Sequence, residues 1–296
     1  MYIIRNMKKD LKDIIKIFLL EGQLEKRKLS VEEIVNKFKD RVLIFFDTET
    51  TGLYSRKKHS LITEIAALAI DTSTGQELGR YSMKSKLTPE VEQTREKQRA
   101  LKASGELRTK MSIDDILKMT GYEDGDIPYE EEGKVLEGFV EFIKEFKDKN
   151  PVMVAHNASF DMRQINDALK QRHRMPFLPK YPVLDTLALV RNYLQPLLLG
   201  LEEKRGENEE IDRLLKTLRP AKSFVSKLSV LGLAFEVGTE HWHSAVADAK
   251  QLSGILAKII TFFETHGGSM LSLGLSRMPI KPKQDKGKKK PPVSQP

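Results

Sequence analysis

The sequence predicts an α/β fold, and two kinds of segment carry that prediction. RVLIFF (residues 41–46), EIAALAI (residues 64–70) and PVMVAH (residues 151–156) are short apolar runs, with strands expected there and around Arg80–Ser85. Between and after them lie segments whose apolar residues recur at helical spacing. Val135, Phe139, Phe142, Ile143 and Phe146 share one face of a helix near Lys134–Lys147, and a last long helix is expected over Ala245–Glu264, stopped by Gly267 and Gly268. Strands alternating with helices make the class α/β.

Ahead of the first strand, Leu11, Ile14, Ile15, Phe18 and Leu19 are spaced for one helix. A second begins at Ser30, because SVEE places Glu33 three residues after a capping serine. Residues 1–39 are therefore expected to be a helical extension outside a core domain spanning 40–266. Residues 86–131 are charged and interrupted, with helical patches such as SIDDILKM (residues 112–119), and read as an insertion. Residues 195–222 form a second, irregular block, acidic in EEKRGENEEID and basic toward Arg219 and Lys222. Residues 267–296 form a Pro- and Lys-rich tail. Between Arg277 and Pro296 seven basic residues stand against Asp285 alone, so the tail carries +6 of the net charge of +8. Such a tail is expected to be disordered and solvated, with a nucleic-acid arm as the alternative.

Composition excludes several functions. With 40% hydrophobic and 31% charged residues the chain is an ordinary globular protein, and 296 residues are enough for one large domain with embellishments. The absence of cysteine rules out disulfides, thiolate nucleophiles and thiolate zinc sites, and suits a cytoplasmic setting. No segment approaches the roughly 18 apolar residues of a membrane span, and no secretory pattern is expected at the N-terminus.

Four carboxylates stand where apolar residues belong. Asp47 and Glu49 end the first apolar run, and alternation along a strand faces them the same way, about 7 Å apart along the backbone. Two like charges at the edge of a core are unfavourable unless a cation lies between them, and oxygen ligands suit Mg²⁺ or Mn²⁺. Asp161 heads the stripe Ile165, Ala168, Leu169, and Asp248 heads the stripe Leu252, Ile255, Ile259, Phe263. A helix dipole alone would favour first-turn acids by only about 0.3–1 kcal/mol, and on the solvated face. His243 precedes Asp248 by five residues, about 140° around a helix, so it is expected in the loop ahead of that helix, over the same cavity. Beside four carboxylates and a metal it reads as a general base.

Taken in order, these residues resemble the DnaQ-like (DEDDh) family of 3′→5′ exonucleases. The first motif is FDTETTGL (residues 46–53), followed by EIAALAI; the second is AHNASFD (residues 155–161); the third is HSAVADA (residues 243–249). LDTLALVRNYL (residues 184–194) and KLSVLGLAFEV (residues 227–237) also resemble the proofreading exonuclease subunits of bacterial replicases. The resemblance covers roughly residues 40–265 and implies a ribonuclease H-like mixed sheet flanked by helices. It implies two Mg²⁺ or Mn²⁺ ions held by Asp47, Glu49, Asp161 and Asp248, with His243 as the general base. Thr50, Thr51, Gly52 and Leu53 match the loop that holds the terminal nucleotide in the family, although Thr50 reads equally well as a plain turn. Asn157 is placed to tether a loop. Phe160 either stacks near a base or packs, packing being favoured; Trp242 either stacks or staples the helix start; and Glu64 reads as a supporting or surface acid.

The expected function is metal-dependent 3′→5′ exonuclease action on single-stranded DNA ends, releasing nucleoside monophosphates in proofreading or repair. RNA trimming is the alternative, because discrimination rests on the 2′-hydroxyl rather than on the catalytic residues. A reading of another class is a docking module for a polymerase, clamp or defence complex, using the N-terminal helices or the tail, where SMLSLGL (residues 269–275) is apolar. Arg95, Lys97, Arg99, Lys102, Arg108 and Lys110 either form a basic wall beside the cleft or simply solvate a surface helix.

Overall fold

The computed structural model describes residues 40–52, 60–124, 126–220, 223–238 and 244–272, with side chains to 266. The expected N-terminal helices, Leu53, Trp242, His243 and the basic tail lie outside the described residues. Six strands form one mixed sheet in the order β4-β3-β2-β1-β5-β6. They are β1 (Val42–Thr50), β2 (Ile62–Asp71), β3 (Glu77–Ser85), β4 (Tyr129–Glu130), β5 (Val152–Ala155) and β6 (Val183–Asp185). β1, β2 and β3 pair antiparallel, whereas β1 with β5, β5 with β6, and β3 with β4 pair parallel. The mixed α/β sheet expected from the sequence is present.

β1 is central and buried on both faces, which explains why its apolar run shows no polar alternation. Val42, Ile44 and Phe46 enter one core with Val135, Leu136 and Phe139 of helix α3 (Glu132–Lys144) and Ile165 of helix α4 (Ala158–Asp167). Leu43 and Phe45 enter the other, with Leu252, Ile255 and Ile259 of helix α9 (Ala245–Ser272). Helix α3 lies close on β3: a Cβ on Gly138 would come 2.9 Å from the Tyr81 oxygen, and the Tyr81 hydroxyl donates to Val135 O at 2.6 Å. Helix α9 runs to Ser272, through Gly267 and Gly268 rather than stopping at them. A glycine inside a helix costs about 1 kcal/mol, which a 28-residue helix docked along a core tolerates.

The two blocks read as insertions contain regular structure. Residues 86–131 hold helix α1 (Pro89–Ala103), helix α2 (Ile113–Met119) and the edge strand β4. Helix α1 buries none of its side chains. Three of its four basic residues are paired inside the segment, with Arg95 and Arg99 on Asp114 and Lys102 on Asp115. Residues 183–200 run from β6 through helix α5 (Thr186–Leu189), a wide turn and helix α6 (Gln195–Gly200). The block at 195–222 is helical rather than irregular. Helix α7 (Glu209–Leu218) buries Ile211, Leu214, Leu215 and Leu218 in the second core, and helix α8 (Leu228–Ala234) follows it.

Candidate metal centre

Strand β1 continues through both motif carboxylates, so Asp47 and Glu49 leave it on the face that Leu43 and Phe45 share. Helix α9 packs on that face and brings Asp248 to them from its first turn. Asp47, Glu49 and Asp248 each offer a carboxylate oxygen within 4.8 Å of the other two. Three acids so placed repel one another, and the two on the strand also lose hydration, so Asp47 and Glu49 hold their protons tightly. Burial pushes the Asp47 carboxyl well above its ordinary range, helped by Asp161, Glu49, Asp248 and Glu64. Burial, then Asp248, Glu64 and Asp161, push Glu49 up to about 9. An all-oxygen cluster of mutually close carboxylates fits a hard divalent ion.

Asp161 approaches from the other side of the strand. It is 2% exposed, in the first turn of α4, and its Oδ1 accepts the Thr48 hydroxyl at 2.7 Å and the Thr48 N–H at 3.1 Å. Burial raises it to about 7, against the Thr48 hydrogen bonds that hold it down. Thr48 sits between Asp47 and Glu49 but faces oppositely, so one three-residue stretch places two acids directly and a third through a hydrogen bond. Asp161 lies outside the three-acid group while still acting on Asp47 through its charge.

The strand end and the loop after it are tied to β2. Thr51 N–H donates to Leu61 O at 3.0 Å, Leu61 N–H to Thr51 Oγ1 at 3.1 Å, and the Thr50 hydroxyl to Gly52 O at 2.8 Å. The Ile62 N–H donates to Glu132 Oε1, which also takes Arg172, while Glu132 Oε2 takes His173. Asn157 is exposed in a left-handed conformation (φ 70°) at the start of α4, and its N–H donates to Asp185. Phe160 is half-buried one turn away. His156 is largely buried, bridging Thr186 and the Ser226 carbonyl, which marks it as structural; burial lowers its pKa.

Two residues gain importance only in three dimensions. Glu64 lies directly opposite Glu49 in the β1–β2 register and is 1% exposed, so it is not a surface acid. Burial raises it to about 7, with Lys84 and the Val246 N–H pulling the other way. Lys84, unremarked in the sequence, lies opposite Glu64 in the β2–β3 register and is also 1% exposed. Only strand alternation hints at either, since neither register is written in a single segment.

Residues 44–256 match the profile of the exonuclease family RNase_T. A DNA polymerase III PolC-type protein of Caldanaerobacter subterraneus subsp. tengcongensis is 33% identical over 148 residues, 49% of this chain but only 8% of that protein. A 3′-exonuclease solved with specific recognition of a histone mRNA stem-loop is 12% identical, with a TM-score of 0.49 over 76% of this chain and 83% of that one. Exonuclease I of Methylocaldum szegediense is 14% identical, with a TM-score of 0.43 over 79% and 43% of the two chains. Among the described residues no helix is long and apolar enough to cross a membrane.

Proposed function

The chain belongs to the RNase_T exonuclease family, the DnaQ-like group its three motifs pointed to, and from that premise we propose that it removes nucleotides from the 3′ ends of single-stranded DNA. It is a 3′→5′ exonuclease, and the family works with divalent metal. The observation that carries the reading is the mutual approach of Asp47, Glu49 and Asp248 to within 4.8 Å on one face of a central strand. Asp47, Glu49, Asp161 and Asp248 would hold two ions, Mg²⁺ or Mn²⁺. Such ions, when bound, supply charge neutralisation at phosphorus and a water of lowered pKa.

His243 accepts the proton of the attacking water at an imidazole nitrogen, typically worth about 10²–10⁴-fold in rate. The water oxygen bonds to the terminal phosphorus as the bond to the neighbouring 3′-oxygen breaks. The products are a nucleoside 5′-monophosphate and a shortened strand with a free 3′-hydroxyl. Thr48 keeps Asp161 oriented from behind. Thr50, Thr51, Gly52 and Leu53 form the loop against which the terminal nucleotide lies, and its ties to Leu61 hold that loop to the sheet. Asn157 and Phe160 flank the entry. An unpaired end is needed because the last nucleotide must leave its partner to reach buried acids. The PolC-type relative favours DNA and a polymerase partner, contacted through residues 1–39 or 267–296.

The test is a time course on 3′- and 5′-labelled single- and double-stranded DNA and RNA, with Mg²⁺, Mn²⁺ or EDTA. Mononucleotide release from single-stranded DNA, lost with EDTA and reduced at least about 10²-fold by Asp47→Ala or His243→Ala, is the expected result. Wild-type rates for Asp47→Ala would end the metal-centre reading, and faster RNA than DNA hydrolysis would reassign the substrate.

A further inference from the structure

Glu49, Glu64 and Lys84 form one row across three neighbouring strands, because Glu49 pairs with Glu64 and Glu64 pairs with Lys84. Directly opposed residues point to the same face with Cβ atoms about 5 Å apart. The row therefore runs carboxylate, carboxylate, ammonium, leading away from the three-acid cluster. A buried ammonium is unfavourable by several kcal/mol unless both its donors and its charge are answered. The donors of Lys84 are answered: Nζ donates to the carbonyls of Gly121 and Tyr122 at 2.8 Å and of Asp124 at 2.7 Å. The Tyr129 and Tyr122 rings lie 5.7 and 6.0 Å from it. All three carbonyls belong to the turn after helix α2, inside the 86–131 segment that the exonuclease chemistry leaves without a task.

The acid opposite Lys84 in the β2–β3 register is Glu64, whose charge acts on the ammonium, and Glu64 also makes a hydrogen bond. Its Oε1 accepts the Val246 N–H at 3.4 Å, in the first turn of α9 and two residues before Asp248. We propose that Glu64 and Lys84 are a charge-balanced positioning pair for the metal centre. Glu64 docks the helix that carries Asp248 onto β2, and it offsets the ammonium that seats the 121–124 turn beside the centre. The inserted segment is thereby wired to the active site through one side chain. This inference rests on the reading of the three-acid cluster as a metal centre.

The charges make the sign of the coupling testable. Without Glu64, a buried cation faces a divalent ion from two strands away, and at an effective dielectric near 20 that repulsion weakens metal binding by about 10-fold or more. Removing the ammonium as well relieves it. The experiment measures Mn²⁺ affinity by calorimetry and by the EPR signal of free Mn²⁺, without nucleic acid, for full-length wild type, E64Q, K84Q, E64Q/K84Q and D47A. Gln at position 84 keeps amide donors for the turn, and circular dichroism melts confirm folding.

E64Q is expected to bind Mn²⁺ about 10-fold more weakly and to lose kcat while KM stays within about 2-fold. E64Q/K84Q is expected to regain at least about 3-fold of that affinity, and K84Q alone to bind at least as tightly as wild type. A double variant as weak as E64Q, an E64Q affinity within 2-fold of wild type, or a K84Q affinity about 3-fold below wild type overturns the pair. D47A separates the two levels. Wild-type Mn²⁺ affinity in D47A removes the metal centre itself, whereas a weak D47A beside an unaffected E64Q removes only the proposed pair.

Discussion

Neutralising Glu49 should stabilise the metal-free protein while destroying its activity. Burial and like charge raise Glu49 from 4.5 to about 9, Glu64 from 4.5 to about 7 and Asp161 from 3.8 to about 7. Each folded-state value lies above the unfolded one. The stability these groups allow is therefore fully present near pH 4 and is lost as pH rises through about 7 and then 9. One pKa unit corresponds to about 1.4 kcal/mol, but the shifts are shared among interacting acids and the desolvation of Glu49 accounts for much of its own. Glu49→Gln is thus expected to relieve on the order of 2 kcal/mol at pH 8, not the whole shift, which for a domain of this size raises Tm by about 4–8 °C. The assay is thermal unfolding by circular dichroism in EDTA from pH 5.5 to 8.5, repeated with Mg²⁺. Wild type should lose Tm as pH rises and regain it with Mg²⁺ more at pH 8 than at pH 5.5. Glu49→Gln should lose less and gain little from Mg²⁺. A metal-free wild-type Tm that is flat or rises over this range, or a Glu49→Gln protein less stable than wild type at pH 8, would refute the account of the buried acids.

Three further outcomes follow from named contacts. Thr48→Val keeps the shape and the backbone N–H but removes the hydroxyl at 2.7 Å from Asp161, so it should cost about 1–3 kcal/mol in urea titration. It should also lower kcat more than it changes KM. Glu132→Ala strips Arg172, His173 and the Ile62 N–H of their shared carboxylate and should lower stability by about 3 kcal/mol in the same titration. Burial pushes Glu132 up, but Arg172, His173 and the Ile62 N–H outweigh it and leave its pKa below the ordinary value, so this contribution should fade as pH drops below about 4. Leu215→Ala, at a fully buried position of α7, should cost about 2–5 kcal/mol and leave metal affinity unchanged, as Mn²⁺ calorimetry will register.

Much of the fold and site is legible in the sequence. The strands β1, β2 and β5 announced themselves as apolar runs because a strand buried on both faces has no polar side to interrupt it. Asp161 and Asp248 stood out because each occupies the position where its helix's apolar stripe should begin. The segment of helix α7 reads as irregular in the sequence, although Ile211, Leu214, Leu215 and Leu218 carry helical spacing. Its dense acids at Glu209, Glu210 and Asp212 masked a pattern of only four apolar residues. In the sequence Arg95, Arg99 and Lys102 of α1 suit a polyanion and a solvated surface equally well. Their pairing with Asp114 and Asp115 depends on how two helices cross, which neither helix encodes alone.

The sequence alone determined the class, the carboxylates and the family, because those rest on local period and on residue types spaced within single segments. Tertiary structure decided which acids meet. Helix α9 crosses the end of β1 so that Asp248 joins Asp47 and Glu49, while Asp161 stays behind the strand on Thr48. It also decided that Glu64 and Lys84 belong beside the centre, because strand register is set by the packing of whole faces and a one-residue slip would send both to the opposite side.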